Sequence, residues 1–238
     1  MSALSNSSSL AEIILAAPGS ERTLEAFGLD YCCGGARPLA DACEALGLDP
    51  STVLAAISAT EAEPAPEWAS MTPGQLVDHL EATHHAYLHS ELPRLSTLAK
   101  KVTGVHGARH PELVEVRQTF ETIRADLEPH LAKEEQVLFP MIRELDAATS
   151  APRFHCGSLQ NPISVMLREH DVVGDLLASL RRLANGYQTP SDGCASYHAL
   201  FDGLAGLEAD THRHVHKENN LLFPTVVALE ARLAAGTR

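Results

Sequence analysis

The chain has 238 residues, 45% apolar but only 5% aromatic, and its 18 basic and 31 acidic side chains give a formal charge of −13. That charge works against any electrostatic hold on nucleic acid or on an anionic membrane surface. An apolar set rich in Ala and Leu favours helices over sheets, and the odd, irregularly spaced set of five cysteines is unlike a secreted disulfide framework.

In chain order, the Ser-rich opening of residues 1 to 8 precedes short apolar-periodic stretches broken at Pro18-Gly19-Ser20, at Gly34-Gly35 and from Gly47 to Pro50. These predict a small helical domain over residues 1–60. The N-terminus lacks the basic flank of a secretory signal and an apolar run long enough to span a bilayer, so a cytoplasmic protein is expected. Inside this domain Cys32 and Cys33 stand side by side before two glycines. An unstrained disulfide between neighbours is difficult, whereas nitrosation, metal transfer or thiol exchange is feasible. Residues 61–71, with Pro64 and Pro66 and no apolar period, read as a linker.

Residues 72–238 then carry four long amphipathic segments. Thr72-Pro73-Gly74-Gln75 is a capping box with proline at the first helical position, and its helix runs through Leu76, Leu80, His84 and His85. A second helix starts at Pro111 and passes Phe120 and Leu127 to Phe139 and beyond, with Pro129 and Pro140 predicting bends, one of them a kink just before His130. Asn161-Pro162 opens a third, ending near Asn185-Gly186, and Ser191-Asp192 precedes a fourth that continues past Phe223-Pro224. The fold class expected is all-α, a four-helix bundle preceded by the small helical domain.

An internal repeat lies inside the bundle. The segment from His130 to Pro140 matches that from His214 to Pro224 as HxxKExxxLFP, and each copy follows a helix that carries a histidine in an apolar setting, His85 or His170. Residues four apart share one helix face about 6 Å along its axis, so His130 with Glu134, and His214 with Glu218, can reach one metal centre. Imidazole and carboxylate donors suit iron, manganese or zinc. With the two helices facing each other, each glutamate can bridge two metals, while four histidines bind terminally and positions stay open for an oxo bridge or a diatomic gas. His89 shares the face of His85 and is the rival ligand in its helix. Leu138, Phe139, Leu222 and Phe223 are assigned to the core, as are Cys43 and Cys194. The other histidines, among them His84, His106 and His216, are assigned to the surface or to groups behind the ligands; Asp126 and Glu169 are candidates for carboxylates behind the ligands or lining a path for iron, with a solvated helix face the favoured reading.

Taken jointly, Asp30-Tyr31-Cys32-Cys33-Gly34-Gly35, the HxxKEEQxLFPMI segment from His130, Pro162-Ile-Ser-Val-Met166 with Glu169-His170-Asp171, and the copy from His214 resemble the repair-of-iron-centres family, of the YtfE, ScdA and NorA type. The resemblance spans nearly the whole chain and implies a haemerythrin-like bundle holding two non-haem iron ions joined by an oxo bridge. It implies the ligands His85, His130, Glu134, His170, His214 and Glu218, prefers His85 over His89, and sets a histidine of open role at His106. It further implies a non-enzymatic iron donor, induced by nitrosative or oxidative stress, whose partners are damaged iron-sulfur proteins. The alternative is a nitric-oxide scavenger, sensor or reductase. A thiol role for Cys32 and Cys33 follows from the same motif, and a homodimer is left open.

Overall fold

The structure, a computed structural model, describes residues 4–59 and 66–235. Among the described residues there is no strand, only two isolated bridges, and no helix is long and apolar enough to cross a membrane. Four short helices form the N-terminal domain: α1 (Leu10–Ala16), α2 (Glu21–Ala26), α3 (Leu39–Leu46) and α4 (Pro50–Ser58). Ser9 and Glu12 make a reciprocal capping box on α1, and Asp49 caps α4 at Pro50. Leu10, Ile13, Leu24, Leu39 and Val53 build a small core of their own.

Four long helices follow, three of them interrupted by a single π turn. These are α5 (Pro73–Leu80, π turn Glu81–His85, Ala86–His106), α6 (Glu112–Lys133, π turn Glu134–Leu138, Phe139–Ala147), α7 (Gln160–Leu183) and α8 (Ala195–Lys217, π turn Glu218–Leu222, Phe223–Ala235). The Thr72 and Gln75 capping box opens α5 as expected. α6 continues without a break through Pro129; Pro129 and Ala125, whose carbonyl loses its donor, both face solvent, so water can satisfy the freed carbonyl. A π turn begins at Glu134. Pro140 and Pro224 each stand six residues after a buried glutamate, and in both copies their missing N–H sits just past the π turn. On α5 the π turn coincides with the Thr83 hydroxyl donating to the His79 carbonyl, 2.6 Å away, a side-chain bond that competes with the helix ladder.

Two apolar plugs fill the bundle. Leu88, Leu92, Phe120, Leu131, Val173 and Leu207 belong to one, and Leu80, Leu138, Phe139, Met166, Leu222 and Phe223 to the other, so the chain positions between them fall in the middle of the bundle. Each fully buried Leu or Phe contributes about 1.5–3 kcal/mol.

The expected linker lies partly outside the described residues, and its described end is structured. Glu67–Ser70 is a 3-10 turn, and Trp68 packs at the seam of the small domain and the bundle under the Lys217 ammonium, 5.3 Å from the ring centre. The small domain also docks through the turn that carries Cys32 and Cys33. Asn220 Nδ2 donates to the carbonyls of Tyr31 (3.3 Å) and Cys32 (3.1 Å), and Val215 of α8 joins the small core. Cys43 is buried as expected, but Cys194 is exposed, because it caps the first turn of α8 and does not lie within it.

Gly35 tests this docking. A Cβ there would lie 2.3 Å from Asn220 Oδ1, while one at the exposed helical Gly104 would meet nothing within 4 Å. We expect Gly35→Ala to cost about 2 kcal/mol and lower Tm by roughly 5 °C, whereas Gly104→Ala is neutral or raises Tm through helix propensity. Thermal denaturation followed by circular dichroism checks both; equal Tm values for the two variants would contradict the docking.

Candidate metal centre

His130 and Glu134 project from α6, His214 and Glu218 from α8, His85 from α5 and His170 from α7, and all six are no more than 2% exposed. They form two donor clusters that share both carboxylates: His85, His214, Glu134 and Glu218, and His130, His170, Glu134 and Glu218. Glu134 Oε2 lies 3.3 Å from His130 Nε2 and 3.5 Å from His85 Nε2, so one carboxylate faces a histidine of each cluster. Glu218 does the same with its two oxygens, Oε1 at 3.2 Å from His214 Nε2 and Oε2 at 3.1 Å from His170 Nε2.

The donor set fits cations. His85 Nε2 faces His214 Nε2 at 3.2 Å, and His130 Nε2 faces His170 Nε2 at 3.1 Å. Metal–imidazole bonds of about 2.1 Å at right angles would separate two such nitrogens by about 3.0 Å. Both oxygens of Glu134 and Oε2 of Glu218 are buried without a hydrogen-bond partner. An unsatisfied buried carboxylate is costly, and a shared cation satisfies it.

Behind the inward nitrogens lies a second layer. His85 Nδ1 meets Glu135 Oε1 at 2.9 Å, His130 Nδ1 meets Glu169 Oε2 at 2.8 Å, and His170 Nδ1 meets Asn219 Oδ1 at 2.7 Å. These bonds orient each ring and set its tautomer so that Nε2 points inward. His214 Nδ1 has no such partner; its ring instead stacks on His84 at 5.4 Å.

The second layer also obeys the repeat. The residue after each glutamate, Glu135 or Asn219, holds the histidine of the preceding helix. The lysine of each HxxKE, Lys133 or Lys217, bonds the residue before the other helix's histidine: Lys133 pairs with Glu169, and Lys217 Nζ reaches His84 Nε2 at 2.8 Å. One set of supports, behind His85 and His130, is therefore carboxylate-rich, with Glu135 and Glu169. The other is built from Asn219, His84, Asp210 and Lys217, and burial pushes His84 down to about 4 and Lys217 down to about 8.

Sequence reasoning left His89 open; the structure puts it at the surface, 2.7 Å from Glu135 Oε1 and away from both clusters. Of the two readings open for Glu169, the structure takes the one behind a ligand, as the partner of His130, and of the two open for His84, His106 and His216 it excludes the surface, for all three are buried. A signal was available: the positions flanking each ligand in the repeat are those that form the second layer. Asp126 is exposed, as assigned.

Burial opposes charge on His130, yet Glu134, Glu218 and Glu169 outweigh it and raise the imidazole to about 9. Burial likewise opposes charge on His214, which Glu218 and Glu134 nonetheless hold up, and on Glu218, which His214 and His170 hold well below the usual carboxylate range against the same burial. His85 is pushed down by burial and by the neighbouring His214.

A family profile described as Hemerythrin HHE cation binding domain matches residues 76–226, and one described as a domain of unknown function, DUF542 or ScdA_N, matches residues 6–61. The chain is 34% identical over 222 residues to the "Probable iron-sulfur cluster repair protein" of Haemophilus influenzae, covering 92% of this chain and 96% of that one. It is 31% identical to the "Iron-sulfur cluster repair protein YtfE" of Escherichia coli O157:H7, covering 93% of this chain and 97% of the relative.

Two outcomes are expected. His85→Gln removes a metal from the centre and His89→Gln removes none, while Glu169→Ala weakens metal binding 10–100-fold; metal analysis after equilibration against a chelator series reads all three. The pH dependence has opposite signs in the two forms. In metal-free protein the raised His130 contributes stability that is full below its ordinary value of 6.5 and is lost as pH climbs through about 9. The stabilisation added by metal instead grows over the same interval, because binding displaces protons. Tm against pH for metal-free and metal-loaded protein measures both slopes, and parallel slopes would contradict proton–metal competition at His130.

Proposed function

This chain belongs to the haemerythrin HHE cation-binding family, and we propose on that premise that it is an iron-sulfur cluster repair protein that gives up iron from a di-iron centre. The observation that carries this reading is the pair of buried donor clusters sharing Glu134 and Glu218. His85, His130, His170 and His214 would bind terminally and the two glutamates would bridge. Imidazole and carboxylate without thiolate suit iron. Iron held by these residues would supply an exchangeable, redox-active store, bound less tightly when ferrous than when ferric.

The protein's own groups supply positioning and access. Glu135, Glu169 and Asn219 fix three of the four rings, and the two apolar plugs keep water from entering along the bundle axis. The side between α7 and α8 is different. Asn219 accepts from His170 and, through Nδ2, donates to the Cys32 carbonyl at 3.4 Å, so the thiol turn rests directly behind a ligand. A cavity of about 780 Å³ opens beside it, lined by Asp30, Cys32, Cys33, Asp171 and Asp175 among others. Gly174, one turn beyond His170, leaves room for Cys33; even a Cβ there would stand 3.7 Å from its sulfur.

The two sulfurs lie 3.8 Å apart as free thiols, and the Cys32 thiol donates to Asp30 Oδ1 at 3.0 Å. The bond with Cys33, burial and Asp30 together hold Cys32 well above the usual thiol range. Cys32 is thus a protonated reserve donor, whose proton would pass to Asp30 or to water as the sulfur bound an arriving metal. Cys32 and Cys33 are the thiols we assign to the passage of iron towards a client. Five free cysteines and the acidic surface suit the cytoplasm.

A second reading, nitric-oxide binding, rests on donor number: six side chains shared by two cations leave positions open for a diatomic ligand. The two readings separate in a reactivation assay on a nitric-oxide-damaged iron-sulfur enzyme. Iron-loaded protein is expected to restore activity while losing iron, and Cys32→Ser with Cys33→Ser to slow the recovery at unchanged iron content. Equal recovery from metal-free and iron-loaded protein would sink iron donation, and formation of a nitrosyl complex with full retention of iron would favour the second reading.

A further inference from the structure

At the end of α5 away from His85, its last residue, His106, meets the N-cap residue of α8. His106 Nε2 lies 3.2 Å from Cys194 Sγ. The imidazole is only 4% exposed, its ring packs on Tyr197 at 5.3 Å and on His110 at 6.4 Å, and its Nδ1 has no partner, so among the described residues the thiol is the ring's hydrogen-bond partner. Cys194, in contrast, is the one exposed cysteine of the five. A buried, oriented base beside an accessible sulfur is the arrangement of an activated nucleophile.

The surroundings favour the thiolate. Cys194 is the N-cap of the segment Ala195–Lys217, where the helix dipole stabilises negative charge. The nearby cation Lys101 donates to Ser196 at 3.0 Å. The nearby acids are already engaged: Asp192 with Arg109 (3.3 Å) and His110 (2.9 Å), and Glu112 with the other nitrogen of His110 (3.2 Å). The bond from His106, followed by the amides of Tyr197 and Ser196, brings the Cys194 thiol down to about 7. Cys43 and Cys32 are buried, and Cys33 and Cys156 are half-buried.

We propose that Cys194 and His106 form a reactive thiol–imidazole pair, a modification site for low-molecular-weight disulfides that is separate from the metal centre. His106 Nε2 takes the thiol proton, and the Cys194 thiolate attacks one sulfur of the disulfide. A new S–S bond forms as the old one breaks, and the departing thiolate recovers the proton from His106. No further oxidant is needed. Along α5, the 21 residues from Ala86 to His106 set this pair about 30 Å from His85, so modification leaves the metal ligands untouched.

Magnitudes choose the readout. At pH 7 about half of such a thiol is ionised, against roughly 3% for an ordinary one. A weaker intrinsic nucleophilicity takes back about five-fold, leaving only about a three-fold advantage in rate. The midpoint of the pH profile is therefore the sharper test. Iron-loaded full-length protein is treated with oxidised glutathione from pH 5.5 to 9.5, and adducts at each cysteine are counted by peptide mass spectrometry. Cys194 is expected to be modified first, with a rate midpoint near pH 7, and with iron content unchanged at full modification. His106→Gln is expected to move that midpoint up by a unit or more. A wild-type midpoint at pH 8.5 or above, measured without any variant, overturns the pair; so does a folded His106→Gln protein whose profile is unmoved, or loss of iron in step with the Cys194 adduct.

Discussion

Two carboxylates buried without sufficient hydrogen bonds are the constraint around which this bundle is organised. Glu134 and Glu218 are inaccessible to water, and three of their four oxygens lack a hydrogen-bond partner. In a closely packed apolar interior an uncompensated carboxylate costs several kcal/mol, more than one typical core leucine contributes. The surrounding histidines offset part of it, but their ring nitrogens also face one another at 3.1–3.2 Å, closer than repelling imidazolium groups favour. Cations shared by both carboxylates resolve the two problems together. The apolar plugs on either side then make sense as the walls that keep the centre dry.

The internal repeat explains how a single chain builds such a centre. Each copy supplies a histidine and a glutamate from one helix and a histidine from the helix before it, and the flanking positions of both copies supply the supports, Glu169 of the second holding His130 of the first. The two halves have diverged in those supports. Glu135 and Glu169 surround one set of rings with negative charge, while Asn219 and the His84, Asp210 and Lys217 group leave the other closer to neutral. The half that uses Asn219 is also the half on which the thiol turn rests. Replacing a carboxylate by an amide at that position gives the ring an acceptor and the turn a donor in one side chain, and this ties the docking of the small domain to the orientation of His170.

Much of this was legible in the sequence because helical spacing fixes which side chains can share a face. The capping box at Thr72, the four bundle helices and the convergence of His130, Glu134, His214 and Glu218 all follow from local rules. His85 and His89 were not separable that way, since residues four apart share a face. The π turn and the Glu135 carboxylate, which holds His85 by Nδ1 and draws His89 outward, decide between them. Pro129 does not end its helix, because the carbonyl it orphans, that of Ala125, faces water. Glu169 and Cys194 misled because a polar residue on an exposed helix face and a cysteine in an Ala-rich stretch are judged by average behaviour, whereas their partners, His130 and His106, come from helices distant in sequence.

Metal analysis with an optical spectrum, on wild type and on the double variant Glu134→Ala with Glu218→Ala, tests the central claim most directly. A di-iron centre bridged by these two glutamates requires two irons per chain and an oxo-bridged ferric spectrum in wild type, both absent from the double variant. A wild-type protein that takes up no iron, or that holds a metal indifferent to the loss of both carboxylates, would contradict it.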